Sequence, residues 1–216
     1  MTLKQRLQTL SKKFDKYSPR PSHYSFIMSP GEIALFDKTI GEAKVYLEFG
    51  MGGSTFRALL KSRAKVYSID SSLEWLAAMR QYFLIRFLEK KRLFLFYVDV
   101  GPTKEWGVPV GTGSSYLFPD YSARIFQLIK KETVDTVLVD GRFRVACTLK
   151  TILECHANDK LLILIHDFWN RPHYHIVLKY LCEVERADTL GLFVINTNLD
   201  LNAVAQDYET YKYNFM

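Results

Sequence analysis

Little in these 216 residues is suited to crossing a membrane or to covalent cross-linking. Cys147, Cys155 and Cys182 are the only cysteines, with no C-x-x-C pair and no even set. Neither a disulfide framework nor a thiolate zinc site is expected from them, and they read as residents of apolar helices in a reducing, cytoplasmic compartment. Apolar runs such as Leu161–Ile165 stay at six residues or fewer, far short of the ~20 residues of a spanning helix, so no membrane partner is expected. The opening MTLKQRLQTLSKKFDKYS is amphipathic and too polar for a signal peptide. Charge of one sign does not dominate either. The net charge is +6, but the basic residues are scattered as Lys12-Lys13, Lys90-Lys91-Arg92 and Lys130-Lys131. Helix ends and solvated faces account for such groups. A nucleic-acid partner is not expected, whereas an anionic substrate is compatible.

What the chain does have is a well-filled apolar core, 48% hydrophobic and 14% aromatic residues, and one stretch around which it is organised. Lys44 to Asp70, KVYLEFGMGGSTFRALLKSRAKVYSID, reads as a strand (45–49), a turn bearing Gly50, Gly52 and Gly53, a helix (54–62) and a second strand (65–69) closed by Asp70. Glycines permit a sharp turn and close approach to a ligand. Ser54 and Thr55 fall where the helix starts, with free N–H groups and the positive dipole end. An acid ending the next strand can accept from both ribose hydroxyls, so the unit binds a nucleoside. The dinucleotide fingerprint G-x-G-x-x-G is incomplete, because Thr55 stands in place of its third glycine.

The remaining chain alternates. Leu3, Leu7, Leu10 and Phe14 are spaced as one helical stripe over 3–16. Ser29-Pro30-Gly31-Glu32 is a capping box opening a helix to about Thr39. Residues 1–40 are read as an N-terminal helical extension and 41–216 as one nucleoside-binding domain. Ser71 with Glu74 predicts a second capping box, followed by one helix through Leu88. A third strand spans 93–98 and closes with Asp99. Residues 101–115 form a long irregular stretch containing Trp106, a candidate lid. A helix is expected over 121–131, a strand over 133–139 ending in Asp140, a helix over 144–155, and a strand over 161–165 ending in His166-Asp167. A further helix is expected from Arg171-Pro172 to Glu183, then a last strand over 191–196 and a polar tail. The expected fold class is α/β, a Rossmann-like, doubly wound, mainly parallel sheet covered on both faces. Such sheets bind ligands at the carboxyl ends of their strands. Glu48, Asp70, Asp99, Asp140, His166 and Asp167 all occupy such ends.

The run E-x-G-x-G-x-[ST], Glu48 through Ser54, resembles motif I of class I S-adenosylmethionine (SAM) methyltransferases. That resemblance covers residues 40–196. It implies SAM as cofactor, with Glu48, Gly50, Gly52, Ser54, Thr55, Asp70, Ser71 and Asp99 at its site; Glu48 belongs to the methionine end, Asp70 to the ribose and Asp99 to the adenine. The placement of Asp140 and His166-Asp167 is similar to metal-dependent small-molecule O-methyltransferases. This implies Asp140, Asp167 and His166 as catalytic residues and as ligands of Mg²⁺ or Mn²⁺, although His166 departs from the paired-carboxylate pattern. Without a metal, His166 is the better general base. The stretches VDGRFRVAC, IHDFWNRPHYH and WGVP look like glycan-modifying methyltransferases, including those of large algal viruses. They imply a sugar hydroxyl as acceptor, and the host cytoplasm as compartment if the chain is viral. Arg142, Trp106 and His173 are the candidate substrate residues, Arg142 for a phosphate or acidic group.

Three other readings stay open. An NAD(P)-linked oxidoreductase is opposed by Glu48, by Thr55 and by the lack of a Tyr-x-x-x-Lys pair. A nucleic-acid N-methyltransferase would carry [DNS]-P-P-[YF] where this chain has DGRF, from Asp140 to Phe143. A non-catalytic SAM-binding module remains. The oligomeric state is not legible.

Overall fold

The computed structural model describes residues 14–215. Most of the stripe expected over 3–16 lies outside them. The helices are α1 (Pro30–Glu42), α2 (Gly53–Lys61), α3 (Leu73–Met79), α4 (Phe83–Leu88), α5 (Phe118–Ala123), α6 (Arg144–Cys155) and α7 (Leu201–Tyr211). The strands are β1 (Val45–Phe49), β2 (Lys65–Asp70), β3 (Leu93–Tyr97), β4 (Thr136–Val139), β5 (Leu162–Ile165), β6 (Leu181–Ala187) and β7 (Leu190–Ile195).

They form one sheet in the order β3-β2-β1-β4-β5-β7-β6. The first five run parallel, and β7 is antiparallel to both β5 and β6. The order reverses between β1 and β4, which opens a crevice at the carboxyl ends of those two strands. The pleat sends alternate side chains to opposite faces. Leu47, Phe49, Val137, Val139, Ile163 and Ile165 enter the core shared with α5, α6 and α7. Tyr46, Leu138 and Leu164 enter the core on the other face, with Leu35, Phe36 and Ile40 of α1 and Phe56, Ala58 and Leu59 of α2. Capping fixes α1 as expected: Ser29 Oγ accepts from the Glu32 N–H, and Glu32 Oε2 accepts from the Ser29 N–H.

Four expectations are corrected. The helix predicted after Asp70 is two helices, because the N-terminal segment competes at the break: the Phe83 N–H donates to Lys16 O at 2.6 Å. Arg86 Nη1 closes the intervening turn on Arg80 O and Gln81 O. The cap of α3 is Ser72, not Ser71; Ser72 Oγ accepts from the Trp75 N–H. The helix predicted over 121–131 starts earlier, at Phe118, and tightens to a 3-10 turn over Arg124–Gln127.

The helix predicted to reach Glu183 is a 3-10 segment, Pro172–Lys179, that stops before an unpredicted edge strand, β6. Only Leu181 of β6 is buried, and Glu183, Glu185 and Arg186 face solvent. Charged edges of this kind resist pairing with other chains, and they also erase the alternation that identifies a strand. Cys182 therefore sits exposed on β6, while Cys147 and Cys155 are buried on α6. The tail, Asp200-capped, forms α7.

Candidate functional site

The turn after β1 is pressed against the turn after β4. Gly50 has φ +94°, and a Cβ there would lie 2.6 Å from the Gly141 nitrogen. A Cβ on Gly141 would in turn lie 2.2 Å from Tyr121 Oη. Both positions need glycine, one for conformation and both for space. Gly52, in extended backbone, faces open room: the nearest atoms are those of the Trp75 indole, at 3.9 Å. That indole donates from Nε1 to Met51 O at 2.7 Å and so walls the loop.

Glu48 does not face this room. It points to the α1–α2 side of the sheet and is fully buried. It accepts from Tyr46 Oη at 3.0 Å, Ser54 Oγ at 2.7 Å and Thr55 Oγ1. Burial outweighs these hydroxyls and pushes its carboxyl up to about 7. Ser54 and Thr55 thus turn inward, and Thr55 Oγ1 also accepts from the Gly52 N–H. The three residues brace the loop from below. Asp70 lies at the loop's mouth. Its oxygens accept from the Met51 N–H at 3.2 Å and the Ser72 N–H at 2.9 Å, and burial raises its carboxyl to about 6. A carboxylate has about four acceptor positions, so Asp70 keeps capacity for further donors. An open glycine turn, a walling indole and this acid fit the nucleoside and amino-acid parts of SAM.

Asp99 is exposed and forms a short turn, accepting from the Gly101 N–H at 2.8 Å. Residues 101–115 are less irregular than expected, since Thr103 and Pro109 pair across a small hairpin. Gly107 packs beside the buried Ser71, where a Cβ would meet Ser71 Oγ at 3.0 Å. This hairpin borders the Asp70 mouth. Trp106 stands at its tip with φ +62° and is 73% exposed.

At the ends of β4 and β5, Asp140 Oδ1 lies 2.8 Å from His166 Nδ1. The other ring nitrogen, Nε2, lies 3.5 Å from Glu32 Oε2. His166 is buried between two carboxylates. Burial works against its charged form, but the Asp140 hydrogen bond and charge prevail and raise its pKa. Asp140 is itself lowered: burial is opposed by His166, Arg144 and Arg142. Glu32 is lowered too, as donors from Thr189 and Ser29 and the His166 charge overcome burial. In the sequence Glu32 shows only as a cap. Its second use has no local signature, because it depends on α1 lying across the β5 end and the β6–β7 turn, where Glu32 Oε1 accepts from the Thr189 N–H at 3.0 Å.

Arg144 is the second site residue with no signature in the sequence. It is buried at the start of α6, donates to the carbonyls of Gly141 and His166, and pairs with Asp140 at 3.1 Å and Asp167 at 3.3 Å. Asp167, in left-handed backbone, also receives Arg171 Nη2 at 2.9 Å. The expected metal set of Asp140, Asp167 and His166 therefore does not fit a cation. A guanidinium already bridges the two carboxylates, and Asp167 holds a second one. No group of three His, Cys, Asp or Glu among the described residues is arranged to hold a metal ion. His173 is exposed, its ring against Tyr174. His175 is structural: Nε2 contacts Phe168 O at 3.0 Å and the ring packs on Phe168 and Trp169.

No protein-family model matches the chain, and no curated protein sequence matches it. Among solved structures, a methyltransferase-like protein from Silicibacter pomeroyi is 28% identical, with a TM-score of 0.74 over 88% of this chain and 98% of that one. An rRNA methylase from Streptococcus thermophilus is 14% identical over 79% of this chain and 99% of that one, with a TM-score of 0.47. Fibrillarin from Aeropyrum pernix, with SAM bound, is 13% identical over 87% and 74%, with a TM-score of 0.43. The fold is the class I methyltransferase fold, in agreement with the SAM-dependent methyltransferase expected from the glycine turn. No helix among the described residues is long and apolar enough to cross a membrane.

Proposed function

We propose that this chain transfers the methyl group of SAM to a hydroxyl of a small polyhydroxylated acceptor, a sugar of a glycan being the class implied by the resemblance of VDGRFRVAC and IHDFWNRPHYH. The observation that carries the reading is the Asp140–His166 pair, 2.8 Å apart and one turn away from the glycine loop. SAM supplies a methyl already activated on a sulfonium, so the protein has to align an oxygen behind it and remove that oxygen's proton.

His166 is assigned the proton. With Nδ1–H donated to Asp140, the lone pair of Nε2 is the basic position, and the imidazolium formed is stabilised by Asp140 on one side and Glu32 on the other. Asp140 fixes the tautomer and the ring plane. Arg144 holds Asp140 and the His166 carbonyl, and so sets the distance between the ends of β4 and β5. Asp167 acts as a ligand for Arg144 and Arg171 rather than for a metal. Asp70 takes the ribose, Gly50 and Gly52 let the loop approach the methionine part, Glu48 with Ser54 and Thr55 keeps the loop in shape, and Ser71 and Asp99 border the adenine side. Trp106 closes over the ligand from the 101–115 hairpin.

The test is methyl transfer from labelled SAM to a panel of neutral sugars, acidic sugars and RNA, run with Asp140→Asn and His166→Gln. Turnover on a hydroxylated small molecule, lost in both variants while the product nucleoside still binds, is the expected result. Methylation of RNA alone would replace the acceptor class. Full activity in Asp140→Asn would remove that residue from the mechanism.

A further inference from the structure

Three arginines gather at the ends of β4 and β5, and two of them are committed. Arg144 is held by Asp140 and Asp167, and Arg171 by Asp167 and the Tyr174 hydroxyl at 3.3 Å. Arg142 makes no ion pair and no side-chain hydrogen bond among the described residues, and its Nε is buried without a partner. Buried donors in folded proteins are nearly always paired. Burial, and after it the repelling charges of Arg144 and Arg171, hold its pKa below the ordinary guanidinium value. Asp70 and Asp140 feel its field but remain outside ion-pair distance. The Tyr174 ring packs on the other two arginines, 5.6 Å from the Arg144 guanidinium and 5.9 Å from that of Arg171.

We propose that Arg142, backed by Arg171, is the receptor for a carboxylate or phosphate carried by the acceptor. A planar fork with no partner among the described residues suits bidentate recognition of such an oxyanion. The Arg142 charge reaches Asp140, so an anion seated on it places the rest of its molecule next to the Asp140–His166 pair. This inference rests on the methyltransferase reading and narrows its acceptor from polyols in general to acidic or phosphorylated ones.

The experiment is calorimetric titration of the full chain with inorganic phosphate and with glucuronate, with and without saturating S-adenosylhomocysteine. Phosphate is expected to bind the wild type in the millimolar range. Affinity is expected to fall at least tenfold in Arg142→Gln, less in Arg171→Gln, and only in part in Arg142→Lys, which keeps the charge and loses the fork. S-adenosylhomocysteine affinity should not change in these variants. Equal phosphate binding in wild type and Arg142→Gln, or none in the wild type, would overturn the proposal. So would a tenfold loss of S-adenosylhomocysteine with 5′-methylthioadenosine unaffected, since the guanidinium would then serve the cofactor's own carboxylate. Arg142-dependent phosphate binding without any nucleoside binding would retain the anion site and remove the methyltransferase reading instead.

Discussion

His166 Nε2 and Glu32 Oε2 stand 3.5 Å apart across 134 positions of sequence, and this contact joins α1 to the rim of the sheet. With Asp140 on the other ring nitrogen, the imidazole bridges two acids that both remain ionised at neutral pH. If His166 removes the acceptor's proton, replacing either acid should affect the chemistry more than nucleoside binding. Asp140→Asn is expected to lower turnover by about 10²–10⁴-fold, the usual worth of a positioned base, with S-adenosylhomocysteine affinity within about twofold. Glu32→Gln should lower turnover less. The opposite split, stability lost and turnover kept, would make His166 a brace between α1 and the sheet.

The same pair sets the direction of a pH effect. The His166 pKa is raised by Asp140, so the base is freed only above its ordinary value of about 6.5. The rising limb of kcat against pH is expected above that value in the wild type and lower in Asp140→Asn. On stability, a raised histidine contributes fully below its unfolded pKa and loses that contribution as pH climbs through the folded one.

Glu48 and Asp70 carry raised carboxyls, about 7 and about 6. Each binds its proton more tightly folded than unfolded, so each favours the fold at low pH and loses that contribution as pH rises through its folded pKa. For Glu48 the window runs from about 4.5 to about 7, and the shift corresponds to about 3 kcal/mol. Urea unfolding across this range should show stability declining in the wild type and a flatter profile in Glu48→Gln. Identical profiles would mean that Glu48 is paired in a way that cancels its burial.

The two loop glycines should separate folding from binding. Gly50→Ala, at φ +94° and 2.6 Å from backbone, is expected to cost at least about 2 kcal/mol, since strained backbone alone costs about 1–3. Gly52→Ala meets nothing closer than 3.9 Å and should fold with a change of about 1 kcal/mol or less. Because it fills the room beside Trp75, it should weaken S-adenosylhomocysteine. Denaturation midpoints and calorimetry on both variants check this.

Arg144 tests whether the rim is built around a guanidinium. Removing one partner of a buried ion pair costs about 3–5 kcal/mol, so Arg144→Met should destabilise by that order. Chelators should leave wild-type methyl transfer unchanged, because Arg144 and Arg171 take the oxygens a cation would need.

The elements that sequence reasoning placed well are those whose pattern is local. Val45–Phe49, the glycine turn and Leu162–Ile165 are continuous apolar runs or punctuated turns, and Ser29 with Glu32 is a cap whose two halves are three residues apart. The misread elements depend on distant partners. β6 exists because β7 returns beside it, α3 and α4 are divided by a hydrogen bond to Lys16, and the Trp106 hairpin is closed by Thr103 and Pro109. The site divides in the same way. Asp70, Asp140 and His166 end apolar strands and can be found by reading along the chain. That Glu32 approaches His166, that Arg144 lies between Asp140 and Asp167, and that Arg142 is left unpaired among the described residues are consequences of packing that no spacing rule encodes.

The most direct test of the central claim is calorimetric titration of S-adenosylhomocysteine, with NADH in parallel, into the wild type and Asp70→Ala. Binding of S-adenosylhomocysteine at micromolar concentrations, weakened at least tenfold by Asp70→Ala, with no heat from NADH, is the result this account predicts. Binding of NADH alone, or S-adenosylhomocysteine binding that is indifferent to Asp70, would contradict it.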